Sequence, residues 1–191
     1  MNLAGPTSQS FISQRLRLHY ADWGNPDAPV LILQHGGRDH SRSWDWVAQE
    51  LRHDWHIIAP DLRGHGDSAW APDGNYSMDT FVYDFAQLIH TLGQEQVTII
   101  AHSLGGNIAT RFTGLYPDKV RKLIVADIAP VTYRHTQMGP IAAMRRVDLT
   151  SVTTRAEAKA QLGDLDPGID DFLLQNLDLK DKRWRLNLDV L

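Results

Sequence analysis

The chain has 191 residues, of which 42% are hydrophobic and 22% charged, with a net charge of −4 and no cysteine. This composition predicts one globular protein with a buried core and no bias toward nucleic acid or membranes, and it excludes disulfides, thiolate catalysis and cysteine-based zinc sites. The start, MNLAGPTSQSF, lacks the basic and apolar segments of a secretion signal, and no apolar run is long enough to span a bilayer, so we expect a soluble cytoplasmic protein.

The first 60 residues predict three strands and one short helix. Residues 15–20, RLRLHY, alternate polar and apolar side chains and predict a half-exposed strand, which the turn NPDAP (25–29) ends. The continuous apolar run VLILQ (30–34) predicts a strand covered on both faces. It leads into the loop HGGRDH, after which Ser43 is expected to cap a short helix. HIIAP (56–60) predicts a second buried strand.

The next 70 residues predict two helices and two more buried strands. Ser77 is a favourable N-cap for a helix over 78–92, which a glycine then ends. VTIIA (97–101) and KLIVAD (122–127) predict the third and fourth buried strands, and a helix is expected between them over 104–116. Strands that alternate with helices predict an α/β fold with a mostly parallel sheet and crossover helices.

The sequence changes character after Pro130. Residues 141–175 predict short helices, and the polar KDK turn (180–182) lies between two alternating segments, so a hairpin or a helix–strand pair follows. We therefore predict a core over 1–130 and a lid or cap-like segment over 131–191.

Ser103 lies where the third buried strand meets a helix, in the segment TIIAHSLGGNIA (98–109). A nucleophilic serine on such a strand-to-helix turn needs small residues two positions away on each side, and Ala101 and Gly105 meet this need. The alternative is that Ser103 only caps the helix that follows.

Four segments together resemble the α/β-hydrolase superfamily: LQHGG (33–37), APDLRGHGDS (59–68), AHSLGG (101–106) and VADIAP (125–130). They occur in that family's order, each at the end of a predicted strand, and the resemblance covers residues 15–130. The DIAP segment and the PVTY that follows are similar to a serine carboxylesterase branch. The resemblance implies a serine hydrolase that needs no cofactor and no metal.

The resemblance also implies an oxyanion hole, the pair of N–H groups that stabilises the negative oxygen formed in acyl transfer. One donor is the backbone N–H of Leu104, directly after the nucleophile, and the resemblance points to Gly37 for the other; the alternative is a plain glycine turn. We expect His35 to order this loop.

The loop after the second buried strand is expected to be structural. Asp61, Arg63 and His65 form a polar network there, because the resemblance gives that loop no chemical step.

Asp127 is the candidate acid of the triad. Some esterases similar to this chain place the acid after the strand that follows the nucleophile helix, which is where Asp127 stands. A charge that closes a buried strand is also costly unless it is paired or functional. The alternative is a cap for the IAP segment.

No histidine occupies the family's usual position for the base. The last histidine is His135, and the 56 residues after it leave no room for a further strand–helix–strand unit beside the lid. We therefore expect the last strands to be missing and the base to come from a C-terminal fragment or a second chain, or to be lost. His135 keeps the order serine, acid, histidine but is expected at the lid entrance, and His102 is a poor base because it is directed away from the serine.

Two functions follow. The first is a serine hydrolase for a carboxylic ester or a related acyl compound, with this chain alone inactive for lack of the histidine. The second is a non-catalytic protein of the same fold that binds a small ligand or a partner. A serine nucleophile disfavours the aspartate-dependent dehalogenases and epoxide hydrolases of this fold. Arg38 is able to hold a substrate carboxylate, although exposed arginines are usually only solvated.

Overall fold

The computed structural model describes residues 5–129, 131 and 138–189. By its internal contacts the chain divides into two compact units, Met1–Pro130 and Val131–Leu191. In the part of the chain that the structure describes, no helix combines the length and the apolar character needed to cross a membrane.

The first unit is built on one six-stranded sheet. Its strands are β1 (Thr7–Ser13), β2 (Leu16–Asp22), β3 (Val30–Gln34), β4 (His56–Pro60), β5 (Val97–His102) and β6 (Val120–Ala126). Their order across the sheet is β1-β2-β4-β3-β5-β6. The last four strands in that order are parallel, and β1 and β2 are antiparallel additions at one edge, so the predicted α/β fold with a mostly parallel sheet is confirmed. The strand β1 is not predicted by the sequence, because its polar segment TSQSFIS carries no apolar alternation.

The register brings three strand ends together. Gln34 at the end of β3 lies beside Ala101 of β5, and His102 at the end of β5 lies beside Ala126 of β6. In parallel strands these are all carboxyl ends, which is where ligand sites form in open α/β sheets. The loops after β3, β5 and β6 therefore start as neighbours.

Three helices flank this sheet: α1 (Asp45–Leu51), α2 (Met78–Thr91) and α3 (Leu104–Leu115). Ser77 caps α2 as predicted, since its hydroxyl accepts a hydrogen bond from the N–H of Thr80. The prediction for Ser43 is wrong. It lies inside a 3₁₀ turn (Ser41–Trp44), where its hydroxyl bonds Asp39 and the carbonyl of His40, and Trp44 precedes α1 without a side-chain cap.

The inner strands are covered on both faces. Leu31 and Leu33 of β3 pack into one apolar cluster with Ile57 of β4, whereas Ile32 packs into another with Ile99 of β5. Successive residues of a strand point to opposite faces, so the unbroken apolar run of β3 is what burial on both sides requires.

The fourth predicted buried strand is not buried. Most of β6 is exposed, and the side chain of Ile124 is 53% accessible. The strand lies at the edge of the sheet, with β5 as its hydrogen-bonded neighbour in the described part of the chain. An apolar sequence predicts a buried strand only where a further strand or helix covers it, and local sequence does not contain that information.

The second unit has its own apolar core around Met144, Leu173 and Trp184. It contains α4 (Met138–Arg146), α5 (Arg155–Leu162) and α6 (Ile169–Leu174), followed by the hairpin β7 (Leu177–Asp178) and β8 (Arg183–Trp184). The predicted short helices are present, and of the two alternatives around the KDK turn the structure has the hairpin.

Candidate active site

Ser103 lies on a strained turn between β5 and α3. Its φ of 49° and ψ of −120° are rare for a residue with a side chain and cost about 1–3 kcal/mol. The N–H of Ser103 donates to the carbonyl of Ala126 at 3.0 Å, and its carbonyl accepts from the N–H of Asn107 at 3.2 Å. These bonds fix the turn to β6 on one side and to the first turn of α3 on the other. Ser103 itself remains partly exposed.

The small residues around Ser103 are required by close packing. A Cβ atom placed on Gly105 would overlap the carbonyl oxygen of His35 and lie 2.8 Å from Cγ of Gln34. Ala101, two residues before the serine, is fully buried. The helix α3 therefore starts against the end of β3, which is the local geometry that the sequence predicted for a nucleophilic serine.

The glycine loop after β3 packs directly against this turn. A Cβ atom on Gly36 would lie 3.0 Å from Cβ of Ser103 and 2.9 Å from Nδ1 of His102. A side chain on Gly37 would meet Leu104, at 3.7 Å from its Cδ2. The structure thus brings together Gly37, Ser103 and Leu104. Leu104 is the first residue of α3, so its N–H is a donor for which the helix supplies no acceptor.

His35 holds the glycine loop in place. Its Nε2 accepts the N–H of Leu62 at 3.0 Å, so the ring hydrogen is on Nδ1, which donates to the carbonyl of Gly36 at 2.7 Å. Burial lowers the pKa of His35 to about 4 in spite of the opposing effect of Asp61, so the ring is neutral near pH 7. In a trans peptide the C=O and the following N–H point in opposite directions. Because His35 fixes the carbonyl of Gly36, it also fixes the direction of the Gly37 N–H.

Asp127 follows β6 directly and has a left-handed φ of 57°. Its side chain is 83% exposed, and its Oδ2 lies 3.4 Å from Nε2 of His102. The predicted burial of this charge is therefore wrong, because β6 is an exposed edge strand. The strained backbone is a separate observation, and positions of this kind cluster at functional sites. His102 is directed toward Asp127.

Asp61 and its neighbours form the polar network that was expected for this loop. Burial opposes the ionisation of Asp61, but hydrogen bonds from His19 and from the N–H groups of Asp67 and Ser41 hold its pKa below the ordinary range. Arg63 pairs with Asp84 through two hydrogen bonds of 2.7 and 2.8 Å. Both groups are buried.

Three side chains of this region lie close enough together to share a metal ion, namely His19, Asp61 and Asp67. Hydrogen bonds already account for the arrangement. Oδ2 of Asp61 is taken by His19 at 2.7 Å and by the N–H of Asp67, and Oδ1 is taken by the N–H of Ser41. The cluster is explained as a structural anchor of the loop.

Arg38 follows Gly37 with a φ of 60° and is half-buried, and burial lowers its pKa. His135 lies outside the described residues.

Comparison with known proteins gives a consistent picture. A family model described as the alpha/beta hydrolase fold matches residues 29–166. A 3-hydroxybutyrate-oligomer hydrolase of Cupriavidus necator is 38% identical over 116 residues, which cover 60% of this chain and 40% of that protein. The sn-1-specific diacylglycerol lipase ABHD11 of Mus musculus is 32% identical over 180 residues, covering 88% of this chain and 58% of the lipase.

A solved structure is also similar. A marine microorganism esterase has 35% sequence identity and a TM-score of 0.84, with 92% of this chain and 70% of the esterase covered. The chain thus spans about half the length of the curated relatives it matches and a larger share of the solved esterase.

Proposed function

Because this chain belongs to the α/β-hydrolase fold family, we propose that it carries the nucleophile of a serine hydrolase acting on a carboxylic ester or a related acyl compound. The observation that carries the proposal is the strained turn at Ser103, packed against the glycine loop after β3. Strain of this kind exposes a serine oxygen above the end of the sheet.

The proposed chemical roles are those of a serine hydrolase, and the geometry around Ser103 supports them. Oγ of Ser103 bonds to the substrate carbonyl carbon while a histidine accepts the hydroxyl proton; the bond from that carbon to the alcohol oxygen then breaks, and the alcohol leaves with the proton. Water next bonds to the acyl carbon and gives a proton to the histidine, and the bond to Oγ breaks as Ser103 takes that proton and the carboxylic acid is released. The N–H groups of Gly37 and Leu104 stabilise the oxyanion, and His35 is a positioning residue that orients the first of them.

The acid in this proposal is Asp127, and the base comes from a histidine-bearing segment, on a C-terminal fragment or a second chain, that completes the site. The exposed edge of β6 supports this arrangement. Ile124 is 53% exposed and Val125 is 37% exposed on a strand whose backbone is able to pair with another strand. Asp127 ends that strand, so a segment added at β6 would lie next to the acid.

The relatives narrow the substrate class. The names of the hydroxybutyrate-oligomer hydrolase, the diacylglycerol lipase and the marine esterase all refer to the hydrolysis of carboxylic esters. We extend to this chain what they share, a small-molecule ester or acyl substrate, and not any one of their substrates.

The test is active-site labelling. A fluorophosphonate probe is incubated with the chain in the presence of the histidine-bearing C-terminal segment of a complete relative, and the labelled peptide is identified by mass spectrometry. We expect the label on Ser103 and its loss in Ser103→Ala, together with the loss of p-nitrophenyl ester hydrolysis.

The matched control for labelling is Ser43→Ala, which removes a hydroxyl from the loop that follows the same glycine segment and should label like the parent. Persistent ester hydrolysis in Ser103→Ala would overturn the nucleophile assignment. A folded assembly that binds the segment yet never labels would favour the alternative, a non-catalytic binding protein.

A further inference from the structure

A polar crevice in the second unit lies outside the proposed active site. It has a volume of about 390 Å³, and its walls come from the start of α5, the end of α6 and the β7–β8 hairpin. Its lining residues are Arg155, Gln175, Leu177, Asp178, Leu179, Lys180 and Arg185. Three of these side chains are cationic and one is anionic, so the crevice has two net positive charges.

The single carboxylate is already engaged. Oδ1 of Asp178 accepts hydrogen bonds from the backbone N–H groups of Lys180 and Asp181, both at 3.1 Å. These bonds lower the pKa of Asp178, together with the nearby charges of Arg183 and Arg185. The carboxylate therefore orders the hairpin turn and neutralises only part of the positive charge.

The three cationic side chains belong to different segments of the second unit. Nη2 of Arg155 donates to the carbonyl of Leu177 at 3.2 Å, which fixes that guanidinium at the crevice wall. Arg185 is half-buried, and its backbone N–H donates to Asn176 at 2.8 Å. Lys180 is exposed at the turn. Arg155 on α5, Lys180 in the hairpin turn and Arg185 directly after β8 thus line the same crevice.

We propose that this crevice binds a phosphate group carried on a small organic molecule. A phosphate monoester has a charge of −1.5 to −2 near pH 7, which matches the two net positive charges, and its oxygens suit the paired donors of arginine. A carboxylate has one charge and two oxygens and would leave part of the site unmatched. Leu179, which is half-buried at the crevice, supplies an apolar contact for the organic part. The site is independent of the proposed chemistry at Ser103.

The test is a titration of the full chain at constant ionic strength, monitored by NMR. The probes are inorganic phosphate, phenyl phosphate and acetate, with sodium chloride as the compensating salt. We expect both phosphates to shift the amide signals of residues 177–180 and 185 and acetate to bind at least about tenfold more weakly, since one lost charge-assisted pair costs on the order of 1.4 kcal/mol. Tighter binding of phenyl phosphate than of inorganic phosphate would identify an organic phosphate as the ligand, and equal binding would identify free phosphate.

Substitutions locate the site. Arg185→Gln and Lys180→Gln should each weaken phosphate binding by roughly fivefold or more. The Lys180 variant changes an exposed side chain, so it retains the fold even if the half-buried Arg185 does not tolerate substitution. Lys122→Gln, an equal change of charge on the exposed strand β6, is the control and should leave the affinity unchanged. Equal affinity for acetate and phosphate, or phosphate binding that neither crevice substitution alters, would overturn the proposal.

Discussion

The two halves of the candidate site differ in how they are held. The nucleophile half, formed by the ends of β3 and β5, is packed so closely that Gly36 and Gly105 leave no space for a methyl group, and a buried histidine fixes its loop. The acid half, at the end of β6, is exposed, and one 3.4 Å contact joins Asp127 to His102. The comparison indicates that Ser103, Gly37 and Leu104, the proposed nucleophile and oxyanion donors, are organised by this chain's own packing. Asp127, the proposed acid, has no such packing among the described residues and in our proposal depends on the segment that covers the edge of the sheet.

The largest expected effect of this difference is on the rate of ester hydrolysis. The chain alone should hydrolyse activated esters at or near background, because in our proposal the base comes from another segment, and without that base the serine stays protonated and only the oxyanion hole and binding contribute. Adding a C-terminal segment from a complete relative, with its strands and histidine, should raise the rate by about 10³-fold or more. The rise is measured with p-nitrophenyl esters over a range of segment concentrations.

The variant Asp127→Asn tests the role of the proposed acid in that experiment. It should remove most of the gain, because in the proposed mechanism Asp127 fixes the tautomer of the added histidine and stabilises its protonated form. Full activity of the chain without any added segment would contradict the division into two halves. A gain that survives Asp127→Asn unchanged would place the acid elsewhere.

The second test compares the loss of stability when a buried side chain of β5 and an exposed side chain of β6 are each truncated. Ile99→Ala in β5 removes a side chain with no exposed surface and should lower the free energy of unfolding by about 2–5 kcal/mol. Ile124→Ala in β6 removes a half-exposed one and should cost less than about 1 kcal/mol. Urea unfolding of both variants measures the difference. Equal losses would show that β6 is covered in solution, for example by self-association through its edge.

The features that the sequence predicts correctly and those that it predicts wrongly fall on the two sides of the same division. The turn at Ser103, the helix cap at Ser77 and the buried strand β3 were predicted correctly, because each depends on residues close in sequence. The burial of β6 and the cost of the charge at Asp127 were predicted wrongly, because both depend on a neighbour that is distant in sequence. The roles of Ser103, Asp127, Gly37 and Leu104 in catalysis stay predictions.

The third test uses pH. Burial lowers the pKa of His35 from 6.5 to about 4, so folding favours its neutral form. The resulting stability is fully present above about pH 6.5 and is lost as the pH falls toward 4. Each pKa unit corresponds to about 1.4 kcal/mol, so His35 accounts for up to about 3 kcal/mol of this loss. His65, whose pKa burial lowers to about 3, adds a loss of the same sign.

Urea unfolding between pH 7.5 and 4 measures the effect. His35→Gln should flatten the dependence of unfolding free energy on pH, whereas the exposed His90→Gln, on α2, should keep the slope of the parent. An unchanged slope in His35→Gln would mean that the glycine loop after β3 is not held by a neutral buried ring.

The smallest expected effect comes from two glycines of the same helix. Gly105→Ala places a methyl group against the carbonyl of His35, and relief of that overlap should cost about 1–3 kcal/mol and move the loop that carries Gly37. Gly114→Ala lies later in α3 with open space around it, so it should instead gain about 0.5–1 kcal/mol from helix propensity. Thermal unfolding gives both signs, and fluorophosphonate labelling in the presence of the C-terminal segment shows whether Ser103 has lost its geometry. If Gly105→Ala is as stable as Gly114→Ala and labels at the parent rate, the close packing at the start of α3 does not organise the nucleophile, and the contrast between the two halves of the site fails.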